Sequence, residues 1–234
     1  MCGRFDRHSS LAQFANVIED LRLDSCDDLP PSFNVAPSHR ALVVRNTEEG
    51  WVSTALFWGL TPFWAKSPTM KRPINARFET ADKLPMFRSA VRTQRCLVLC
   101  DGYYEWQMQS NGSKQPYYFH LPEEVPFVLG GIWERNEQLP NAPLETFCIL
   151  TTAASPIIEH IHHRMPLFLP QSEYAAWLDP TMRDVDTFRR LVESERDDWV
   201  VQSVSRFVNN PKNNSSRCRE SIETKEAPQQ SSIN

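Results

Sequence analysis

The chain has 234 residues, 41% of them apolar, and a net charge of −4. That is enough apolar sequence for one domain with a full core, and the mild acidity excludes a general polyanion binder without excluding a local basic patch. No run of about 18 apolar residues occurs and the N-terminus has no apolar signal stretch, so neither a membrane span nor export is expected.

The chain opens Met1-Cys2-Gly3-Arg4. Removal of Met1 leaves Cys2 with an α-amine and a thiol on adjacent carbons. The amine's reference pKa of about 7.7–8 keeps a useful fraction neutral and nucleophilic at pH 7. Such an amine attacks an aldehyde to form an imine, and the neighbouring thiol can then close a five-membered thiazolidine with little further entropy cost. The same residue also suits N-terminal nucleophile chemistry on amides.

Ser9 and Ser10 supply an N-cap for an amphipathic helix expected over 11–22, with Leu11, Phe14, Val17, Ile18 and Leu21 on one side. A proline-containing loop runs to Ser32-Phe33-Asn34-Val35-Ala36-Pro37. Strands are expected over 41–45 and 51–58, joined by a turn at Glu49-Gly50. The stretch from Gly59 to Pro73 is long, aromatic and proline-rich, with Phe63 and Trp64, and reads as more than a connector. A short helix follows over 85–92. From Arg95 to Trp106 a buried strand ends in Asp101-Gly102-Tyr103-Tyr104-Glu105-Trp106, and Asn111-Gly112 marks a hairpin turn. Further strands are expected over 116–121, 127–133, 146–152, 167–169 and 199–207, with helical turns over 155–161 and helices over 171–178 and 187–193. From Asn209 onward the sequence is polar and reads as a disordered tail, leaving one domain over 2–208. Many short strands with few helices predict an α+β fold, a barrel-like core of antiparallel strands with peripheral helices.

The six cysteines form no CxxC pair, and no HxxxH completes a zinc ligand set, so neither a metal nor another cofactor is expected. With no export signal the expected setting is reducing: bacterial cytoplasm close to the nucleoid, or the nucleus of a eukaryote.

Between Lys66 and Arg95 eight cations face two acids, a local excess of +6 that includes Arg77 and Arg88. Glu105 lies between Tyr104 and Trp106. A partly desolvated carboxyl there would have a raised pKa suited to proton transfer, while a salt-bridged surface glutamate is the competing reading. His160, His162 and His163 precede Arg164-Met165-Pro166, and imidazoles can supply the acid and base that imine formation needs. Asn75 and Arg77, two apart on an extended segment, would share a face and could hold a sugar and a phosphate. Arg4 could hold a neighbouring phosphate, and Trp64 and Phe63 could stack on bases.

Together these motifs resemble the SOS-response-associated peptidase (SRAP) family of abasic-site processing proteins. The resemblance is carried by Met1-Cys2-Gly3-Arg4-Phe5, Phe33-Asn34-Val35-Ala36-Pro37, Phe57-Trp58-Gly59-Leu60, Ile74-Asn75-Ala76-Arg77-Phe78-Glu79-Thr80, Asp101-Gly102-Tyr103-Tyr104-Glu105-Trp106, His162-His163-Arg164-Met165-Pro166 and Val204-Ser205. It implies a catalytic Cys2 exposed by autocatalytic loss of Met1. That cysteine would crosslink to the ring-opened aldehyde of an abasic site in single-stranded DNA, with strand cleavage by β-elimination as a side reaction. By motif, Asn75 orients the N-terminus and sugar, Glu105 moves protons, and the histidine is His162. Arg4, Asn34, Pro37, Trp64, Arg77 and Arg88 fall on DNA-binding positions, and the working unit is a monomer. Where some relatives carry two successive aromatics, this chain has Trp64-Ala65. A thiol amidohydrolase and a non-catalytic single-stranded DNA binder are the rival readings.

Overall fold

Period-two patterning dominates the chain, and strands dominate its computed structural model, which describes residues 2–191 and 198–222. In chain order the elements are β1 (Arg4–Arg7), α1 (Leu11–Ala15), β2 (Ser32–Val35), β3 (Arg40–Thr47), β4 (Gly50–Trp58), β5 (Asn75–Arg77), α2 (Ala90–Thr93) and β6 (Arg95–Cys100). There follow β7 (Gly102–Met108), β8 (Lys114–His120), β9 (Phe127–Asn136), β10 (Leu144–Ala153), α3 (Pro156–Glu159), β11 (Arg164–Pro166), α4 (Tyr174–Leu178), α5 (Val185–Leu191) and β12 (Val200–Ser203).

One sheet runs β12-β8-β7-β1-β2 and the other β11-β10-β4-β3-β6-β9. In the second sheet β9 and β10 also pair, so β10-β4-β3-β6-β9 returns on itself as a ring. The fold is thus the expected α+β type with a barrel-like core. Most pairings are antiparallel; β10 runs parallel to β4 and β5.

Alternation along the strands divides the apolar side chains. Phe5, Tyr103 and Phe119 of the first sheet meet Val43, Trp58, Val98, Phe147 and Ile149 of the second in one buried cluster, which also holds Cys2. Leu42, Val44, Leu97 and Leu99 point the other way, onto Phe14, Trp177 and Phe188 of the helices. On the far face of the first sheet, Tyr104 and Tyr118 pack against Val204, Val208 and Cys218.

Several local expectations differ from the structure. The helix predicted over 11–22 ends at Ala15. Ser10 and Gln13 form a reciprocal capping box, but Asn16, Val17 and Ile18 are poor helix formers, and the chain continues as turns that still bury Ile18 and Leu21. The expected helix over 85–92 is reduced to α2. The strand expected over 167–169 lies earlier, as β11, while Phe168 makes only an isolated bridge to Leu129. The last strand stops at Ser203 and gives way to a 3-10 turn over Arg206–Asn209. The final residues of the helix expected over 187–193 lie outside the described residues.

The segment from Arg95 to Met108 is two strands in two sheets, broken at Asp101. Asp101 Oδ2 accepts from the backbone N–H groups of His8 (2.6 Å) and Ser9 (2.9 Å), and its own N–H donates to the Asp6 carbonyl. A Cβ at Gly102 would lie 2.4 Å from the Tyr118 ring, so only glycine fits this corner.

The polar tail expected from Asn209 is packed through Ile222; residues 223–234 lie outside the described residues. Hydrogen bonds hold it in place of apolar burial. Asn34 Nδ2 donates to the carbonyls of Val208, Asn210 and Asn213, and Phe33 N donates to Asn214 Oδ1. Arg219 pairs with Glu124 at 3.0 Å and lies 3.7 Å from Asp6, and Cys218 is fully buried. Composition misjudges such a segment because the partners that order it lie about 180 residues away in sequence.

Candidate active site

β1 begins at Arg4 and pairs with β7 in the register Arg4↔Tyr104 and Phe5↔Tyr103. That pairing carries Cys2 toward Glu105, the next inward residue of β7 after Tyr103. The Cys2 thiol is fully buried, and its proton points to the Arg4 carbonyl at 3.7 Å. Burial pushes the thiol far above its ordinary range, and the Glu105 carboxylate raises it further. Glu105 is itself buried. Desolvation raises its carboxyl above the usual range, with nearby His163 acting in the opposite direction.

His162 follows α3, its backbone N–H donating to the Ile158 carbonyl. Its ring stacks on His163 with centroids 4.5 Å apart. Nδ1 lies 3.0 Å from both the backbone nitrogen and the carbonyl oxygen of Arg164. Desolvation lowers the His162 pKa, favouring the neutral ring. Arg164 is anchored in turn: its guanidinium binds both Glu79 carboxylate oxygens, at 2.7 and 2.8 Å, and the Thr151 carbonyl at 2.6 Å.

β10 joins the remaining pieces. β5 pairs along it through Ile149↔Asn75 and Thr151↔Arg77, and β11 along it through Thr151↔Pro166 and Ala153↔Arg164. The Asn75 amide is buried, and among the described residues neither its oxygen nor its nitrogen is hydrogen-bonded. Ile74, just before it, packs on the cluster that contains Cys2, and so does Ile161, just before His162. An unsatisfied buried amide is costly and is common where a ligand supplies the missing partner. Arg77, next outward on the same side of β5, is exposed.

The other sequence-selected residues divide into two groups. Arg4 is half-buried and Asn34 buried, and both are engaged within the protein. Arg4 donates to Asn34 Oδ1 (2.9 Å) and to the carbonyls of Val208 and Asn209, so both side chains fasten the C-terminal segment. Pro37, Trp64 and Arg88 are exposed. Arg88 lines a cleft with Arg92 and Arg183 whose acids, Asp82, Asp184 and Asp186, balance much of that charge. Of the eight cations from Lys66 to Arg95, Arg95 is buried and capped by backbone carbonyls, so the basic stretch presents seven.

Phe63 and Trp64 protrude from the loop after β4, at 51% and 41% exposure, whereas Ala65 is fully buried. The second outward aromatic is therefore Phe63, on the near side of Trp64. Two residues that sequence patterning did not select hold this loop. Asn136 Nδ2 donates to the carbonyls of Pro62, Phe63 and Ala65. The buried carboxyl of Glu134 is pushed up to about 7 by burial, opposed by a hydrogen bond with the Phe63 backbone. Their only sequence signal was polarity at inward positions of a strand.

The SOS response associated peptidase (SRAP) family model matches residues 1–211. The chain belongs to the SRAP family. This SRAP chain is 35% identical to the abasic site processing protein YoqW of Bacillus subtilis, across 94% of this chain and all of that one. It is 30% identical to the abasic site processing protein YedK of Escherichia coli, across 91% of this chain and 96% of that one. A crystal structure of a protein from Bacteroides thetaiotaomicron superposes with a TM-score of 0.76 at 24% identity, covering 91% of this chain and 97% of the other, which shows a shared fold.

Proposed function

We propose that this SRAP protein processes abasic sites in single-stranded DNA by covalent capture on Cys2 after loss of Met1. The observation that carries the reading is the burial of the Cys2 thiol beside the buried Glu105 carboxyl, at the start of β1. The relatives named for abasic site processing support the substrate class.

The freed α-amine of Cys2 attacks the deoxyribose aldehyde. Water leaves the carbinolamine as His162 supplies and recovers a proton; with Nδ1 engaged at the Arg164 backbone, this falls to Nε2. The thiol then adds to the imine carbon and closes a thiazolidine. Glu105, with its raised pKa, moves the thiol proton. Asn75 gives the ring-opened sugar a donor and an acceptor that no described residue engages. Arg77 neutralises a flanking phosphate, and Phe63 and Trp64 stack against neighbouring bases. Elimination from the imine before ring closure would cut the strand, a lyase side reaction. Self-removal of Met1 accounts for the peptidase in the family's name. Among the described residues no helix is long and apolar enough to cross a membrane.

Incubating Met1-free protein with a single-stranded oligonucleotide bearing one abasic site should give a heat-stable adduct. The intact oligonucleotide should give none, and Cys2→Ala should abolish the product. Equal yield from Cys2→Ala, or turnover of a peptide with no abasic-site dependence, would overturn the reading.

A further inference from the structure

A hydroxyl on β7 is used by neither the packing nor the proposed chemistry. Tyr103 is fully buried in the cluster that contains Cys2, and its phenolic oxygen has no hydrogen-bond partner among the described residues. Leaving a buried hydroxyl unpaired costs on the order of 1–3 kcal/mol, so its persistence needs a reason. The ring cannot easily turn away to find a partner. It stacks on Phe119 with centroids 4.7 Å apart and an interplanar angle of 7°, and Trp199 packs edge-on against it at 5.6 Å.

Its position bears directly on the thiol. Tyr103 and Glu105 are two apart on β7 and share its inward face, and Tyr103 is paired with Phe5 of the strand that Cys2 leads into. Burial raises the Tyr103 phenol well above its ordinary range, and negative charge arising on Cys2 is the next cause, ahead of Glu105 and Cys100. The thiol meanwhile points at a carbonyl oxygen, the Arg4 acceptor. That contact suits a neutral S–H and opposes a sulfur that is becoming an anion.

We propose that Tyr103 is a positioning residue for the Cys2 sulfur, its phenolic O–H turning onto that sulfur as the proton leaves and holding it for attack on the imine carbon. This rests on the reading of Cys2 as the capturing residue. The step balances without an added reagent. The S–H bond breaks and a sulfur electron pair forms the S–C bond. The C=N π pair returns to nitrogen, and the thiol proton reaches that nitrogen through Glu105. Tyr103 keeps its own proton, and nothing is oxidised or reduced. A phenol is suited to the task because its own ionisation is strongly disfavoured by burial, so it remains a donor throughout.

Tyr103→Phe removes only the unpaired oxygen, which makes it a clean variant. Two products separate the steps on single-stranded abasic-site DNA: the borohydride-trapped imine, which needs only the amine, and the heat-stable ring-closed adduct, which needs the sulfur. The expected result is an unchanged or higher melting temperature and an unchanged rate of trapped imine. Ring closure should be about tenfold slower, the size of one hydrogen bond to a charged group, with its pH dependence displaced to higher pH. Identical ring-closure kinetics in both proteins would overturn the role of Tyr103 and leave the proposed function standing. Equal loss of both products, with a lower melting temperature, would mark the hydroxyl as structural and also overturn it. Absence of any adduct from the unaltered protein would remove the proposed function itself, and this role with it.

Discussion

Glu105 lies close enough to Cys2 that its carboxylate is, after burial, the main cause of that thiol's resistance to ionisation. A fixed negative charge beside a nucleophilic sulfur is unfavourable at rest. It is useful only if the same carboxyl takes the sulfur's proton. Replacing Glu105 with Gln should therefore act in two opposite ways. Ionisation of Cys2 should become easier, so its alkylation by a small thiol reagent, followed by peptide mass analysis, should reach half-maximum at lower pH. Crosslinking to abasic-site DNA should become roughly a hundredfold slower, the usual scale of one lost acid–base group. DNA affinity should be nearly unchanged. A variant that crosslinks at the original rate would show that Glu105 moves no proton.

Desolvation lowers the His162 pKa, and that makes a prediction about acid. The unfolded value is about 6.5, and the folded value lies below it. For a group shifted this way, the unfolded chain binds the extra proton first. The contribution to stability is therefore full above about pH 6.5 and is lost as pH falls through the folded pKa. His162→Asn should lack this dependence, so the difference in melting temperature between the two proteins should be constant above pH 7 and change only on acidification. In parallel, the acid limb of the crosslinking rate should lie below the range of an ordinary histidine. A limb centred above pH 6.5 would contradict a neutral, desolvated imidazole.

The barrel-like antiparallel core was readable from alternation, whereas the aromatic residues around Glu105 left a desolvated carboxyl and a salt-bridged surface glutamate both open. Three features were not readable. Asp101 divides a stretch that patterning treats as continuous, because its carboxylate is recruited by backbone groups of His8 and Ser9 more than ninety residues earlier. The C-terminal segment is nearly all polar, yet Asn34 and Arg4 satisfy several of its carbonyls, and Val208 and Cys218 add apolar anchors to its packing. The same contacts show why Arg4 was ambiguous. An arginine next to a nucleophile can meet a phosphate or a chain of carbonyls, and local sequence gives no sign of a partner some 200 residues distant. Asn75 was legible as a chemistry-bearing residue through its i, i+2 relation to Arg77, but its unsatisfied amide is visible only in three dimensions.

Asn34 provides the test of that clamp. Its side chain serves Arg4 and three backbone carbonyls from a fully buried position. Asn34→Ala should destabilise the protein by about 3 kcal/mol, which for a chain of this size lowers the melting temperature by roughly 6–12 °C. Cys218, which that segment buries, should become reactive toward thiol reagents well below the melting transition. A variant with native stability and a protected Cys218 would show that the segment is held by other means.

Phe63 and Trp64 stand outward from a loop whose next side chain, Ala65, is buried. Trp64→Ala should weaken binding of single-stranded DNA by about 1–3 kcal/mol, the cost of one lost stacking surface, and should do so for intact and abasic strands alike. The melting temperature should hardly move, because the side chain is exposed. Ala65→Trp should behave in the reverse manner, forcing bulk into a filled site and costing stability without added affinity. Equal DNA affinity for Trp64→Ala would exclude this loop as a stacking platform.

Beneath that loop, Glu134 links its stiffness to pH. The folded carboxyl titrates at about 7 against an unfolded value near 4.3, so the shift is upward. A group raised in this way contributes most below its unfolded pKa and loses that contribution as pH rises through 7, where the buried carboxyl must ionise. Glu134→Gln keeps the shape and an acceptor for the Phe63 backbone but never ionises. It should be more stable than the parent above pH 7 by on the order of 1 kcal/mol, with the advantage shrinking toward pH 5. Hydrogen exchange of the Phe63 and Trp64 amides should follow the same trend, speeding with pH in the parent beyond the intrinsic chemical rate and not in the variant. Asn136 is the control. It anchors the same loop without a titrating group, so Asn136→Ala should loosen the loop equally at pH 5 and pH 8. Parallel stability curves for the parent and Glu134→Gln across this range would mean that the Glu134 carboxyl ionises freely, and that burial does not govern it.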